Sequence, residues 1–346
     1  MRMADTKTSA DRGVRGVDFY ARRLLRHSRL PGRLRLAMLG GAEKLLAARR
    51  IDKHVRFSPA DGVELDVWLI RGRWHGRPAH GNPPSAEGRD GPGTHGQVLS
   101  TPDGDARDTP QPPCPGTVLI IHGLWDSKGR FFRLGELLAR RGFDVVMPDL
   151  RCHGQSTGEF TTFGALEKRD LLALMNSLRA AGDVRGPLWV FGFSMGATIA
   201  VQYSALDPLV RGAVAAAPFA DGKSITKHLA PLMGRPKFDA VWARAAEMAG
   251  FDPGDTSTVE AARGLRCPLI VVHGRLDLIV PYSQGLAVFE AAPRPKRLHT
   301  IGWAGHPSLL LKGRRWFADR VAEAIDLAGE AGGPGGAKSD KRDSLS

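Results

Sequence analysis

The strongest constraint on this chain is the rhythm of its central and C-terminal parts. Six runs of mostly apolar residues stand at 117–121, 143–147, 188–193, 210–215, 268–273 and 297–301. Between most of them lie stretches with helical spacing, at 128–141, 163–181, 195–206, 281–291 and 308–328. Strands that are apolar on both faces need cover on both faces, and parallel strands need long crossovers, usually helices. The rhythm therefore predicts an α/β architecture, a mostly parallel sheet with helices on both sides. Residues 219–262 interrupt it with short helical pieces and prolines, and are expected to form a small cap.

The flanks read differently. Residues 55–58 are extended, Asp61-Gly62 offers a turn, and 63–70 alternates apolar and polar, a hairpin ahead of the parallel strands. Residues 72–115 are dense in Gly, Pro, Asp and Ser, so they cannot bury enough surface to offset their ordering entropy, and a disordered insertion is expected. Its His75, His80 and His95 have no rigid frame, and no metal site is expected from them. The tail 329–346 is also expected to be disordered. Its GGPGGAKS resembles a phosphate loop but has Ala337 where that motif requires Gly before Lys338. The division is thus a basic, helical extension over 1–53, a main domain over 54–328, and a tail.

Net charge is +13, and it is uneven. Residues 1–53 hold 14 Lys/Arg against 5 Asp/Glu, whereas 115–328 hold 26 against 20. The excess sits on the extension, which argues against a nucleic-acid groove across the main domain. Within 17–50, Leu24, Leu25, Leu34, Met38, Leu45 and Leu46 are interleaved with arginines. Two readings fit this pattern. The leucines pack on the body, or the segment makes peripheral contact with an anionic membrane surface. No apolar run approaches the ~20 residues of a membrane span, and arginines interrupt the N-terminus where a secretory signal needs an apolar block, so cytoplasmic residence is expected. Three cysteines, Cys114, Cys152 and Cys267, with no C-x-x-C pair, read as free thiols.

The chemistry concentrates after the apolar runs. Gly192-Phe193-Ser194-Met195-Gly196 stands where the run 188–193 passes straight into a helical stretch with small residues on its near face. A G-x-S-x-G motif needs that strand–turn–helix context, because the turn is strained and the helix passes close to the strand. It projects the Ser194 hydroxyl from the C-terminal edge of the sheet as a nucleophile. Directly after 117–121 comes His122-Gly123-Leu124-Trp125. The backbone N–H of Leu124, paired with that of Met195, could stabilise the oxyanion of an acyl-transfer intermediate. Asp277 lies just beyond 268–273, where a carboxylate can orient a histidine. His306 follows the last run in GWAGHPSLL, completing the order Ser…Asp…His.

Over residues 54–328 the sequence resembles the α/β-hydrolase superfamily. IIHGLWDS, PDLRCHGQSTG, GFSMG, HGRLDLIVP and GHPSLL resemble the branch of serine aminopeptidases and monoacylglycerol lipases. Cys152 stands where that pattern usually has Gly. The resemblance implies a nucleophile at Ser194, an acid at Asp277, a base at His306, oxyanion donors at Leu124 and Met195, and no cofactor. The expected function is hydrolysis of carboxylic esters, acylglycerols or other small to medium acyl esters, through an acyl-enzyme. Acyl transfer, thioester hydrolysis and peptide hydrolysis would use the same three side chains. A non-catalytic interaction protein of this fold would normally have lost one of them.

Overall fold

The computed structural model describes residues 9–26, 50–59, 61–73, 114–332 and 342–345. Among these residues, nine strands form one sheet: β1 (Lys53–Phe57), β2 (Leu65–Ile70), β3 (Thr117–Ile121), β4 (Asp144–Pro148), β5 (Leu188–Phe193), β6 (Val210–Ala216), β7 (Leu269–Gly274), β8 (Lys296–Ile301) and β9 (Arg342–Leu345). Their order across the sheet is β1-β2-β4-β3-β5-β6-β7-β8-β9. β2 pairs antiparallel with β1 and with β4, and every pairing from β4 to β9 is parallel.

The alternation of side chains along each strand builds two cores. Leu119, Ile121, Val190, Ala213 and Val271 enter one, under α3 (Glu167–Ala180), α4 (Met195–Leu206) and α8 (Tyr282–Ala291). Val118, Ile120, Phe191, Val214 and Ile270 enter the other, under α2 (Phe132–Arg140) and α9 (Gly313–Gly332). Successive residues point to opposite faces, so a strand buried on both sides must be apolar throughout. The expected parallel sheet with helices on both faces is what the structure has.

The cap contains α5 (Gly222–Leu229), α6 (Arg235–Ala249) and α7 (Thr258–Arg263). Asp221 caps α5 by accepting the Ser224 N–H at 2.7 Å, and Gly250 ends α6 in the left-handed conformation. A further helix, α1 (Ser9–Leu25), packs across cap and body. Ala21 and Leu25 are fully buried in the first core, and Asp18 accepts from Arg244 of α6 at 2.7 Å. The Leu25 carbonyl accepts the Thr161 N–H of the body at 3.1 Å. The leucine face of 17–25 is therefore used inside the molecule. The rest of the expected basic helical stretch, 27–49, lies outside the described residues.

Two features differ from the sequence reading, and a third expectation falls mostly outside the described residues. The β1–β2 connection spans the seven residues 58–64, because Val63 is turned into the core. The insertion expected over 72–115 falls outside the described residues except at its ends, where Arg73 N–H bonds the Ala139 carbonyl at 2.7 Å. In the tail, α9 continues to Gly332 and residues 342–345 form an edge strand on β8. Among the described residues, no helix is long and apolar enough to cross a membrane.

Candidate active site

Ser194 occupies the single residue between β5 and α4, at φ 55° and ψ −123°. A non-glycine residue rarely takes a positive φ, and here the surroundings impose it. A Cβ on Gly192 would lie 2.1 Å from the Gly196 carbonyl oxygen, and one on Gly196 would lie 2.2 Å from that of Ile121. Neither position admits a side chain, so α4 starts hard against β3 and β5. The strained turn is locked by the Ser194 N–H donating to the Ala216 carbonyl at 2.7 Å.

Two loops at the same edge bring the partners. β7 ends at Gly274, where a Cβ would lie 2.3 Å from the Ala304 carbonyl oxygen. That close approach, with Leu276 N–H donating to the same oxygen at 3.0 Å, ties the Asp277 loop to the His306 loop. His306 Nδ1 lies 2.6 Å from Asp277 Oδ2, and His306 Nε2 lies 2.9 Å from Ser194 Oγ. A carboxylate oxygen accepts, so Nδ1 carries the proton and Nε2 faces the hydroxyl as acceptor. Asp277 is buried, and its other oxygen accepts the N–H groups of Ile279 at 3.0 Å and Val280 at 2.8 Å. The Phe193 ring lies against the imidazole with centroids 5.2 Å apart. The structure thus brings Ser194, His306 and Asp277 into one hydrogen-bonded row.

A second histidine, His273, lies 3.7 Å from Asp277 Oδ2. It is buried, and burial pushes its pKa down, so it stays neutral near pH 7. Its Nε2–H donates to the Val280 carbonyl at 2.9 Å, and Gly285 leaves room for the ring. It therefore supports the loop without competing as a cation for the Asp277 carboxylate.

Met195 directly follows Ser194, and Leu124 follows Gly123, which packs against Ser194. Among the described residues neither backbone N–H donates a hydrogen bond, and Met195 opens α4, where the first N–H groups have no intrahelical acceptor. Gly123 packs so closely that a Cβ there would lie 3.3 Å from that of Ser194. The arch over 122–128 that carries Leu124 is pinned at both ends. His122 Nε2 accepts the Leu150 N–H at 3.0 Å, and its Nδ1 donates to the Gly123 carbonyl at 2.8 Å. At the other end the Lys128 N–H donates to Asp149 Oδ1 at 2.7 Å. The Lys128 ammonium, almost wholly buried, lies 2.5 Å from both Asp149 Oδ2 and Asp66 Oδ1, beneath the Trp68 ring at 4.7 Å. Sequence reasoning missed Lys128, Asp149 and Asp66. PDLRCHGQSTG held Asp149, but nothing local paired it with a lysine.

Among the described residues no group of three or more His, Cys, Asp or Glu side chains is placed to hold a metal ion. Burial pushes the Cys267 thiol up to about 12, so it is protonated and unreactive near neutral pH.

The profile of the serine aminopeptidase S33 family matches residues 112–249, a span that holds Ser194 and stops short of Asp277 and His306. The uncharacterized protein YqkD of Bacillus subtilis (strain 168) is 26% identical over 219 residues, covering 61% of this chain and 72% of that protein. The esterase Pf2001 of Pyrococcus furiosus superimposes with a TM-score of 0.55 at 21% identity, over 79% of this chain and 91% of that one. Est1E of Butyrivibrio proteoclasticus, solved with ferulic acid bound, gives 0.55 at 17%, over 80% and 99%. The chain has the fold of the α/β-hydrolases, and over residues 112–249 it is similar to the serine aminopeptidase S33 family.

Proposed function

We propose that the protein is a serine hydrolase that cleaves carboxylic esters through an acyl-enzyme on Ser194. The observation that carries this reading is the row Asp277–His306–Ser194, with contacts of 2.6 and 2.9 Å, at a serine held in a strained turn. Ser194 Oγ attacks the ester carbonyl carbon while His306 Nε2 takes its proton. Asp277 holds the ring and stabilises the imidazolium. The Leu124 and Met195 N–H groups take the developing oxyanion. His306 then protonates the leaving alcohol, and water, deprotonated by the same nitrogen, releases the acid.

Ester hydrolysis is preferred over acyl transfer, thioester or peptide cleavage because a protein of similar architecture, Pf2001, is an esterase. Fold alone does not choose among these reactions, so the test must. A fluorophosphonate probe should label the wild-type protein and fail to label Ser194→Ala. p-Nitrophenyl esters of increasing chain length should be hydrolysed by the first and not the second. Labelling that survives in Ser194→Ala would overturn the nucleophile. Labelling without turnover of any ester would overturn the substrate class.

A further inference from the structure

Of the twelve large apolar side chains that are exposed among the described residues, six are on loops at the edge of the sheet that carries Ser194, and two more, Leu229 and Leu232, are on the cap. Trp125 (61% exposed) follows Leu124, Leu276 and Leu278 (84%) bracket Asp277, and Trp303 and Leu311 (76%) bracket His306. Leu232, 99% exposed, is in the loop between α5 and α6 of the cap. These segments are physically joined. Leu276 N–H bonds the Ala304 carbonyl at 3.0 Å, and His228 of the cap meets the Leu278 carbonyl at 2.9 Å. A cavity of about 270 Å³ between Arg130, Arg133, Leu310 and Arg314 joins the arch side to the His306 side. Large exposed apolar side chains gathered on neighbouring, hydrogen-bonded loops mark an interaction site.

Its charge says with what. The segments 124–133, 222–239, 275–279 and 302–315 hold ten Lys and Arg besides the buried Lys128. They hold only two carboxylates besides the buried Asp277, namely Asp126 and Asp239, and Asp239 pairs with Lys223 at 2.8 Å. Lys312 lies over the Trp303 ring at 5.6 Å, so cation and aromatic stand together at the rim. Apolar tips set among cations match a surface that is anionic outside and apolar beneath. The leucine face of α1 is spent on the body, which leaves its Phe19 and Tyr20 exposed, with Lys237 over the Tyr20 ring at 4.4 Å.

We propose that the Ser194 edge of the molecule docks on an anionic lipid bilayer, with Leu232, Leu278 and Leu311 entering its apolar layer. Resting on the ester-hydrolase reading, the ester reaching Ser194 is then a lipid drawn from that bilayer. Flotation of the full-length Ser194→Ala protein tests the docking without consuming lipid. Phosphatidylcholine vesicles are compared with vesicles of phosphatidylcholine and phosphatidylglycerol. Binding should require the anionic lipid and fall as salt is added, by screening. Arg314→Glu with Arg315→Glu should lower binding by at least about ten-fold, given about five-fold per cation near such a surface. Leu232→Ser with Leu311→Ser should lower it by a similar or larger factor, since one fully buried leucine is worth roughly ten- to hundred-fold in partition. In the Ser194 background both pairs should leave hydrolysis of soluble p-nitrophenyl butyrate unchanged, which shows that they fold.

Equal binding to neutral and anionic vesicles would overturn the proposal. So would undiminished binding by both pairs, which would assign the lipid contact to another surface. Self-association through this face without vesicle binding would do the same, with a second copy as its occupant. Failure of the ester-hydrolase reading would look different, as the wild-type protein would bind vesicles and hydrolyse no ester.

Discussion

Two buried charge clusters stand at the same edge of the sheet and are built to opposite ends. In one, Asp277 and His306 meet at 2.6 Å and the free ring nitrogen faces the Ser194 hydroxyl at 2.9 Å. In the other, Lys128 lies between Asp149 and Asp66, and the second Asp66 oxygen meets His54 Nε2 at 2.7 Å. Asp149 is saturated by the N–H groups of Lys128 at 2.7 Å and Gln155 at 2.8 Å, and Gly154 lies so close that any Cβ there would strike its carboxylate. The first cluster leaves one proton free to move. The second leaves none, and its charges serve to hold the 122–128 arch against the 149–157 turn. Burial of charge is common to both, so burial alone does not mark a reactive group. An unspent hydrogen-bonding valence facing a hydroxyl does.

The largest effect should come from breaking the first cluster. His306→Ala and Asp277→Asn should each lower kcat/KM by on the order of 10³–10⁴ or more, the second because an amide no longer holds the productive tautomer. The double variant should be little worse than His306→Ala, since the groups act as one unit. Thermal unfolding should hardly change, as His306 touches water and the Asp277 loop keeps its backbone bonds. Single-turnover kinetics and calorimetry on the same samples separate the two. Losses that multiply would mean that the residues act independently and the row is not a catalytic unit.

Breaking the second cluster should reverse the balance between activity and stability. Burial opposes ionisation of Asp66, but the hydrogen bonds and charges of Lys128 and, after it, His54 outweigh it and hold its pKa below the usual carboxylate range. In the intact protein this contribution is present above the unfolded value and is lost as pH falls through the lower folded one. Lys128→Met strands two buried carboxylates and should cost about 3–5 kcal/mol of unfolding free energy at pH 7. Without the lysine, burial outweighs the remaining His54 contact and raises the folded value of Asp66 above the unfolded one, so the sign inverts. The variant should regain stability as pH is lowered from 7 toward about 5, where a raised carboxylate takes up its proton. Denaturant titrations across that range read it. A variant that weakens steadily with acid, as the parent does, would show that Lys128 neutralises nothing.

The same contrast explains what the sequence could reveal. Strands β3 to β8 stand within a residue or two of the apolar runs, because a strand covered on both faces must be apolar throughout. Ser194, Asp277 and His306 are legible because each follows its strand within a few residues, so strand positions alone place them at one edge. Lys128 had no such signal. A lysine between Ser127 and Gly129 reads as solvated, and the Asp66 that buries it comes from a strand far upstream. β9 was illegible for another reason. Arg342-Asp343-Ser344-Leu345 has no apolar pattern, and an edge strand is held by backbone pairing, which leaves no trace in composition. The start of α1 at Ser9 was hidden likewise, since 9–15 carries no apolar stripe.

The smallest effect is also the subtlest test of the turn that anchors the second cluster. Cys152 has φ 63°, a left-handed conformation that costs a residue with a Cβ about 1–2 kcal/mol and costs glycine little. Its buried thiol offsets part of that, with Sγ 3.2 Å from the Glu159 carbonyl oxygen. Cys152→Ala should lose the thiol contact and keep the strain. Cys152→Gly loses the same contact and relieves the strain, but frees the unfolded chain, a penalty of about 0.5–1 kcal/mol. Glycine should therefore match or exceed alanine at this position, by up to about 1 kcal/mol, and stay within about 1 kcal/mol of the parent. That order is the reverse of what helices and strands show, where alanine is the more stable of the two. Because the 149–157 turn pins the arch that carries Leu124, both variants should keep kcat nearly unchanged if the turn holds its shape. An alanine variant clearly more stable than the glycine one would mean that the backbone here is not left-handed in solution, and that Cys152 is retained for its sulfur alone.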